Sequence, residues 1–329
     1  MKTNIFPAKL KKGDKVMVVA PSDSLKLISE SVNKIAYGRL TGLGFKVVYA
    51  DNVNELDELD SSSIESRAKD LHQAFLDKEV KMVIAAFGGY NANELLRYID
   101  WQIIKDNPKI FIGFSDTTVL QNAIYAKTGL VTYSGPTYAT FGQERYFDDT
   151  LNYFKQCLCS DEEFEILPSQ YWGDDWWLAD QSQRKLIENG GWWAVNEGKA
   201  VGKILGGNIC TFNLLQGTEY LPDITDSILF LEDDVESKLF NFNRDLQSII
   251  HLPNFARVRG IVIGRFQKAS QVERAQLEQI IKTKPELCNI PILANVDFGH
   301  TNPICTFPVG GKMEMTVGQG VSVLKIVEH

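Results

Sequence analysis

Over its first 140 residues the chain alternates short, wholly apolar runs with amphipathic stretches, and few folds accept that alternation. A continuously apolar run is a strand buried on both faces, and a helix between two such strands supplies the crossover that parallel pairing needs. Lys15–Ala20 reads as the first strand, ending in the turn Pro21-Ser22-Asp23-Ser24. A helix follows, with Val32, Ile35, Leu40 and Leu43 toward one side and Gly42 and Gly44 breaking it; Phe45–Ala50 is the next strand. Ser62-x-x-Glu65 predicts a capping box that opens a helix whose Ile64, Ala68, Leu71 and Phe75 share a face. Strands over Lys81–Phe87 and Lys109–Gly113, with helices over Asn93–Tyr98 and Asp116–Lys127, complete a parallel α/β layer.

The pattern changes from about residue 145 to 200: periodicity fades, and five of the six tryptophans fall between Trp172 and Trp193. Beyond lie strands at Ser227–Leu231, Gly260–Ile263, Ile292–Val296, Lys312–Val317 and Val321–Ile326, with Ser270–Lys282 the clear helix. A chain of 329 residues exceeds what one core usually holds. The expectation is therefore an α/β domain over 1–165 and a smaller β-rich domain over 166–329.

A net charge of −8 without a basic block excludes a nucleic-acid polymer as partner. The opening Met1-Lys2-Thr3-Asn4-Ile5-Phe6-Pro7 has no apolar stretch of the length a signal peptide needs, and no later run is long enough to span a membrane. Five scattered cysteines, an odd number, do not suggest a disulfide framework, and Cys157-x-Cys159 lacks the histidines of a zinc site. The expectation is a cytoplasmic protein without metal or cofactor.

Chemistry is concentrated at strand ends. In Gly113-Phe114-Ser115-Asp116-Thr117 a serine stands on an abrupt strand-to-helix turn, where its hydroxyl projects clear and the N–H of Asp116 faces the same point. Thr117 stands where the second glycine of G-x-S-x-G would be, and a plain helix cap is the other reading of Ser115. Of four histidines, His72 and His329 are expected to be solvated and His251 structural, whereas His300 sits in a polar loop closing an apolar strand. That position suits a general base or a loop hydrogen bond equally. Glu232 is the first of three acids ending the apolar run Ser227–Leu231, so it is the least solvated and the best able to orient a histidine. Phe87-Gly88-Gly89-Tyr90-Asn91 lets backbone N–H groups approach a ligand oxygen, but it is no dinucleotide or Walker loop. Leu205-Gly206-Gly207-Asn208 reads equally well as a tight turn. No cysteine lies on a turn like that of Ser115, which argues against a cysteine amidase.

Gly-Phe-Ser-Asp, Leu-Glu-Asp, Asp-Phe-Gly-His and the Gly-Gly loop, in that family's Ser…Glu…His order, resemble the LD-carboxypeptidase serine peptidases along nearly the whole chain. The resemblance implies a flavodoxin-like N-terminal domain carrying the nucleophile Ser115 and a β-rich, barrel-like C-terminal domain carrying Glu232 and the base His300. It also implies an oxyanion hole from Asp116 with Gly88 and Gly89, no cofactor, and a homodimer. Its substrates are small amides, either murein L,D-peptides or, in the microcin C immunity protein-like branch, aminoacyl-nucleotides. Phe87 stands where the murein enzymes carry arginine, and Gly89-Tyr90-Asn91 is similar to that branch. Trp172, Trp176 and Trp177 are then candidate stacking faces for a purine, and Asn91 is a further substrate-binding candidate; interdomain packing is the other reading of the tryptophans. A peptide- or nucleotide-binding module without turnover is the rival from another functional class.

Overall fold

The computed structural model describes residues 4–318 and 320–329, so Met1, Lys2 and Thr3 of the opening stretch lie outside it, as does Gln319. Strands β1 (Lys15–Val19), β2 (Lys46–Tyr49), β3 (Val80–Ala85), β4 (Ile110–Gly113) and β5 (Thr132–Ser134) pair in parallel in the order β2-β1-β3-β4-β5. This is the expected flavodoxin-like order, in which the direction of winding reverses between β1 and β3. Helices α1 (Glu30–Gly42), α2 (Ile64–Leu76), α3 (Trp101–Asp106) and α4 (Thr118–Thr128) connect the strands. Residues Ala68, Leu71 and Phe75 of α2 are buried as their spacing requires. The cap is one residue later than expected: Ser63, not Ser62, accepts the N–H of Ser66. Asn93–Tyr98 is a 3₁₀ turn over Ala92–Arg97 rather than an α-helix.

The middle of the chain is more ordered than its weak periodicity suggests. Helix α5 (Asp148–Cys159) buries Thr150, Phe154, Cys157 and Leu158, an i, i+4, i+7, i+8 stripe in which half the positions are not strongly apolar. The tryptophan-rich stretch contains a short ribbon, β7 (Tyr171–Trp172) with β8 (Ile187–Glu188), after β6 (Phe164–Ile166). The remaining elements are β9 (Trp193–Asn196), β10 (Gly198–Asn208), α6 (Ile209–Asn213), β11 (Ser227–Glu232), α7 (Leu239–Ile250) and β12 (Gly260–Gly264). They are followed by α8 (Arg274–Lys282), β13 (Ile292–Val296), β14 (Phe307–Val309), β15 (Lys312–Val317) and β16 (Val323–Glu328).

Eight strands form the second sheet, in the order β6-β16-β15-β10-β11-β12-β13-β9. Its centre, β10-β11-β12-β13, is parallel, flanked by antiparallel β15 and β9. Leu205-Gly206-Gly207-Asn208 is not a turn but the end of the long β10, and α6 and α7 are helices that the second half was not expected to contain. A break at residue 165 falls within β6, and β14 returns to the first sheet, pairing antiparallel with β5.

The sheets meet through α4. Asn122 donates to the carbonyl of Gly206 (2.8 Å) and accepts its N–H (3.1 Å), while Thr118 Oγ1 accepts the N–H of Asn208 (3.1 Å). A Cβ on Gly207 would stand 2.6 Å from that same hydroxyl, so the strand can approach the helix only with glycine there. The helix that begins just after Ser115 is thereby fixed to β10, whose neighbour β11 ends in Glu232. Among the described residues no helix is long and apolar enough to cross a membrane.

Candidate active site

Carboxyl ends of parallel strands from both sheets converge on one place. Ser115 follows β4, Glu232 ends β11 and His300 follows β13. His300 Nε2 lies 3.0 Å from Ser115 Oγ, and its Nδ1 lies 2.7 Å from Glu232 Oε2. A carboxylate only accepts, so Nδ1 carries the proton toward Glu232 and Nε2 is left to accept from the Ser115 hydroxyl. The residues paired across 68 and 185 positions of sequence thus form one unbroken hydrogen-bonded line.

Each member is held by its surroundings. Ser115 has φ 63°, a left-handed conformation that costs an L-residue about 1–2 kcal/mol. It opens a 3₁₀ turn over Ser115–Thr117 that leads into α4, and its own side chain caps nothing. Thr117 Oγ1 donates instead to the carbonyl of Phe114 (2.9 Å) and lies where a side chain at Gly113 would have to go. Glu232 is 2% exposed and His300 is 18% exposed. Two glycines make room for the Glu232 carboxylate: a Cβ on Gly264 would stand 2.6 Å from its Cβ, and one on Gly299 2.2 Å from Oε2. The Phe114 ring packs edge-on against the imidazole at 5.3 Å. Burial alone would lower the His300 pKa, but the charge and hydrogen bond of Glu232, helped by Asp234 and Asp233, outweigh it and raise the pKa above the ordinary value.

The loop after β3 lies directly over the serine. A Cβ on Gly88 would be 3.2 Å from both Ser115 Cβ and Oγ. Gly89, at φ 139°, has no room for one against Ser22 Oγ and the Asp23 carboxyl, each 2.2 Å away. The Asp116 carboxyl ties this loop to the Ser115 turn, accepting from Ser22 Oγ (2.5 Å) and the N–H of Ala92 (2.8 Å). Burial pushes its pKa up against the pull of those hydrogen bonds. Asp23 beside it is raised to about 7 by burial, with the charges of Asp60 and Asp116 adding. Asp233, next to Glu232, is likewise raised to about 7 by burial.

Residues expected at the periphery divide. Asn91 is buried, and its amide oxygen accepts from Arg67 (3.0 Å) and lies 3.3 Å from Ser22 Oγ and 3.4 Å from Ser61 Oγ, whose protons go to Asp116 and to the Ser22 carbonyl; it packs behind the glycine loop. Trp177 is buried in the hydrophobic core, which corrects the expectation that it offers a stacking face. Trp176 is 68% exposed, and Trp172 is half-buried beneath Arg265 and Lys268. Trp192 and Trp193 pack against the core. His329 is not solvated as expected: its ring contacts Lys9 Nζ and the carbonyls of Cys157 and Glu162. His72 is part-buried, accepting the N–H of Asp100 (2.8 Å). Among the described residues no cluster of three or more His, Cys, Asp and Glu is arranged to hold a metal ion. Sequence reading missed Ser22, Gly264 and Gly299. The first has a signal, since it lies where β1 leaves the sheet at the reversal of winding.

Comparison with known proteins gives a consistent picture. Residues 16–135 match the LD-carboxypeptidase N-terminal domain, and residues 201–315 match the LD-carboxypeptidase C-terminal domain. The Bacillus subtilis protein named "Putative carboxypeptidase YocD" is 50% identical over 325 residues, covering 99% of this chain and 100% of that one. A crystal structure of an MccF-like protein from Bacillus anthracis superposes with a TM-score of 0.98 at 48% identity, covering 99% of this chain and 100% of that one. The microcin C7 self-immunity protein MccF, in complex with aspartyl sulfamoyl adenosine, superposes with a TM-score of 0.89 at 28% identity, covering 99% of each chain.

Proposed function

Because the chain belongs to the LD-carboxypeptidase family of serine peptidases, we propose that it cleaves its amide through an acyl-enzyme on Ser115, with His300 as general base and Glu232 as its orienting partner. The single observation that carries this reading is the unbroken line Ser115–His300–Glu232, with contacts of 3.0 and 2.7 Å. His300 Nε2 takes the hydroxyl proton as Ser115 Oγ attacks the carbonyl carbon. Glu232 holds the Nδ1–H tautomer and stabilises the imidazolium that forms. The N–H of Asp116 and those of Gly88 and Gly89 face the oxyanion. Collapse expels the amine, which takes the proton from His300. Water, deprotonated in turn by His300, then hydrolyses the ester.

The substrate class we propose is an aminoacyl group joined through nitrogen to a nucleotide-like moiety. Support comes from the likeness to a protein solved with aspartyl sulfamoyl adenosine and from the open face of Trp176, on which a base can stack. The test compares hydrolysis of aspartyl sulfamoyl adenosine with that of a murein L,D-tetrapeptide by the wild type and Ser115→Ala. The reading expects turnover of the former, abolished in the variant. Turnover of the tetrapeptide alone would overturn the substrate assignment, and wild-type rates from Ser115→Ala would overturn the mechanism.

A further inference from the structure

Arg265, just past the end of β12, and Asp297, just past the end of β13, form an ion pair at 2.5 Å in which the side chains are 2% and 0% exposed. Neither belongs to the Ser115–His300–Glu232 line. Asp297 also accepts from the N–H (2.9 Å) and hydroxyl (2.8 Å) of Ser169. Arg265 donates through Nε to Asn295 Oδ1 (3.1 Å), and its guanidinium carbon lies over the Trp172 ring, 5.1 Å from the ring centroid. Two backbone hydrogen bonds, of 2.9 and 2.8 Å, pair Gly173 with Asn302. His300 thus lies between two staples, Asp297–Ser169 and Asn302–Gly173, and both fasten it to the segment that carries Trp172 and Trp176.

A buried ion pair is a weak source of net stability, since desolvation offsets most of the attraction; apolar residues would fill the space as well. What the guanidinium adds is geometry: a rigid fork that donates to Asp297 and Asn295 together while its carbon stays over the Trp172 ring. We propose that Arg265 is a positioning residue that couples the tryptophan-bearing segment to the His300 loop, so that the wall meeting the distal part of the substrate and the base meeting the nucleophile are set by one fork. The proposal rests on the reading of His300 as general base.

The test measures the rate at which a small fluorophosphonate modifies Ser115, a reaction that needs the nucleophile and its base but no distal contact. Arg265→Met, Arg265→Lys, Asp297→Asn and the double variant Arg265→Met/Asp297→Asn are compared, with Leu277→Ala as a control. Leu277 is a fully buried residue of α8 outside the network, and its truncation destabilises the same half of the molecule. Misplacing the base by a fraction of an ångström should slow phosphonylation per folded molecule on the order of 10- to 100-fold in Arg265→Met and Asp297→Asn. The double variant should be no slower than the slower single one, as for residues acting as a unit. Leu277→Ala should react at the wild-type rate per folded molecule. Arg265→Lys keeps the charge but has no fork with which to hold Asn295 and Asp297 together over Trp172; it should fold and still be more than threefold slow. A rate within threefold of wild type in Arg265→Lys, or in a folded Arg265→Met, overturns the proposal. The underlying reading fails separately, if Ser115→Ala hydrolyses substrate as the wild type does.

Discussion

A methyl group added at Gly299 would stand 2.2 Å from Glu232 Oε2 and 2.6 Å from its Cδ. The carboxylate would have to withdraw by about 1 Å to reach ordinary van der Waals contact. It has nowhere to go: Glu232 is 2% exposed, and its Cβ already faces Gly264 at a distance that admits no side chain there. The backbone at φ 93° adds about 1 kcal/mol of strain for any L-residue. The 2.7 Å contact with His300 Nδ1 is the first casualty, and the imidazole loses its orientation toward Ser115. For Gly299→Ala we expect kcat to fall on the order of 100-fold, with KM within about twofold. Stability should fall by about 1–3 kcal/mol. Steady-state hydrolysis beside a melting curve reads both. A folded Gly299→Ala with kcat within twofold of wild type would refute the view that the glycine cradle holds Glu232 in register with His300.

Further outcomes follow from the same structure. The raised His300 pKa means that the neutral base predominates only above the ordinary 6.5, so the acid limb of kcat/KM should have its midpoint above that value. Glu232→Gln removes the nearest negative charge and should shift the midpoint downward while lowering the plateau; a pH–rate profile with an unmoved midpoint contradicts this. Asp116→Asn weakens the clamp on Ser22 and Ala92 and should lower kcat about tenfold with little change in KM, read by the same kinetics. Trp176→Ala should raise KM for an aminoacyl sulfamoyl adenosine roughly 5- to 100-fold at unchanged Tm. Trp177→Ala should instead cost about 3–5 kcal/mol of stability by opening a cavity, as denaturant unfolding would report.

The parallel strands were legible because burial on both faces writes itself as an unbroken apolar run, as in Ile110–Gly113 and Ser227–Leu231. The ends of those runs were legible for the same reason, and Ser115, Glu232 and His300 stand at or just past them. Helix α5 was hidden because Thr150 and Cys157 occupy its buried stripe, and the apolar stripe of α7 was masked by the exposed Phe240. Strand β10 was hidden by Gly202, Gly206 and Gly207, which weaken a strand pattern but are required where Asp226, Phe230 and Thr118 crowd the backbone. Trp176 and Trp177 are adjacent in sequence and opposite in exposure, a difference set by what packs on the segment and not by its composition. Arg265 and Asp297 could not be paired by reading alone, because the register of β12 against β13 brings them together across 32 positions.

The central claim is that Ser115 is a nucleophile activated by His300. Incubation with a fluorophosphonate, followed by intact-mass measurement and peptide mapping, tests it without knowledge of the substrate. The account predicts one adduct per chain, on Ser115, absent from Ser115→Ala and strongly slowed in His300→Ala. A wild-type protein that stays unmodified, or carries its adduct on another residue, would contradict it.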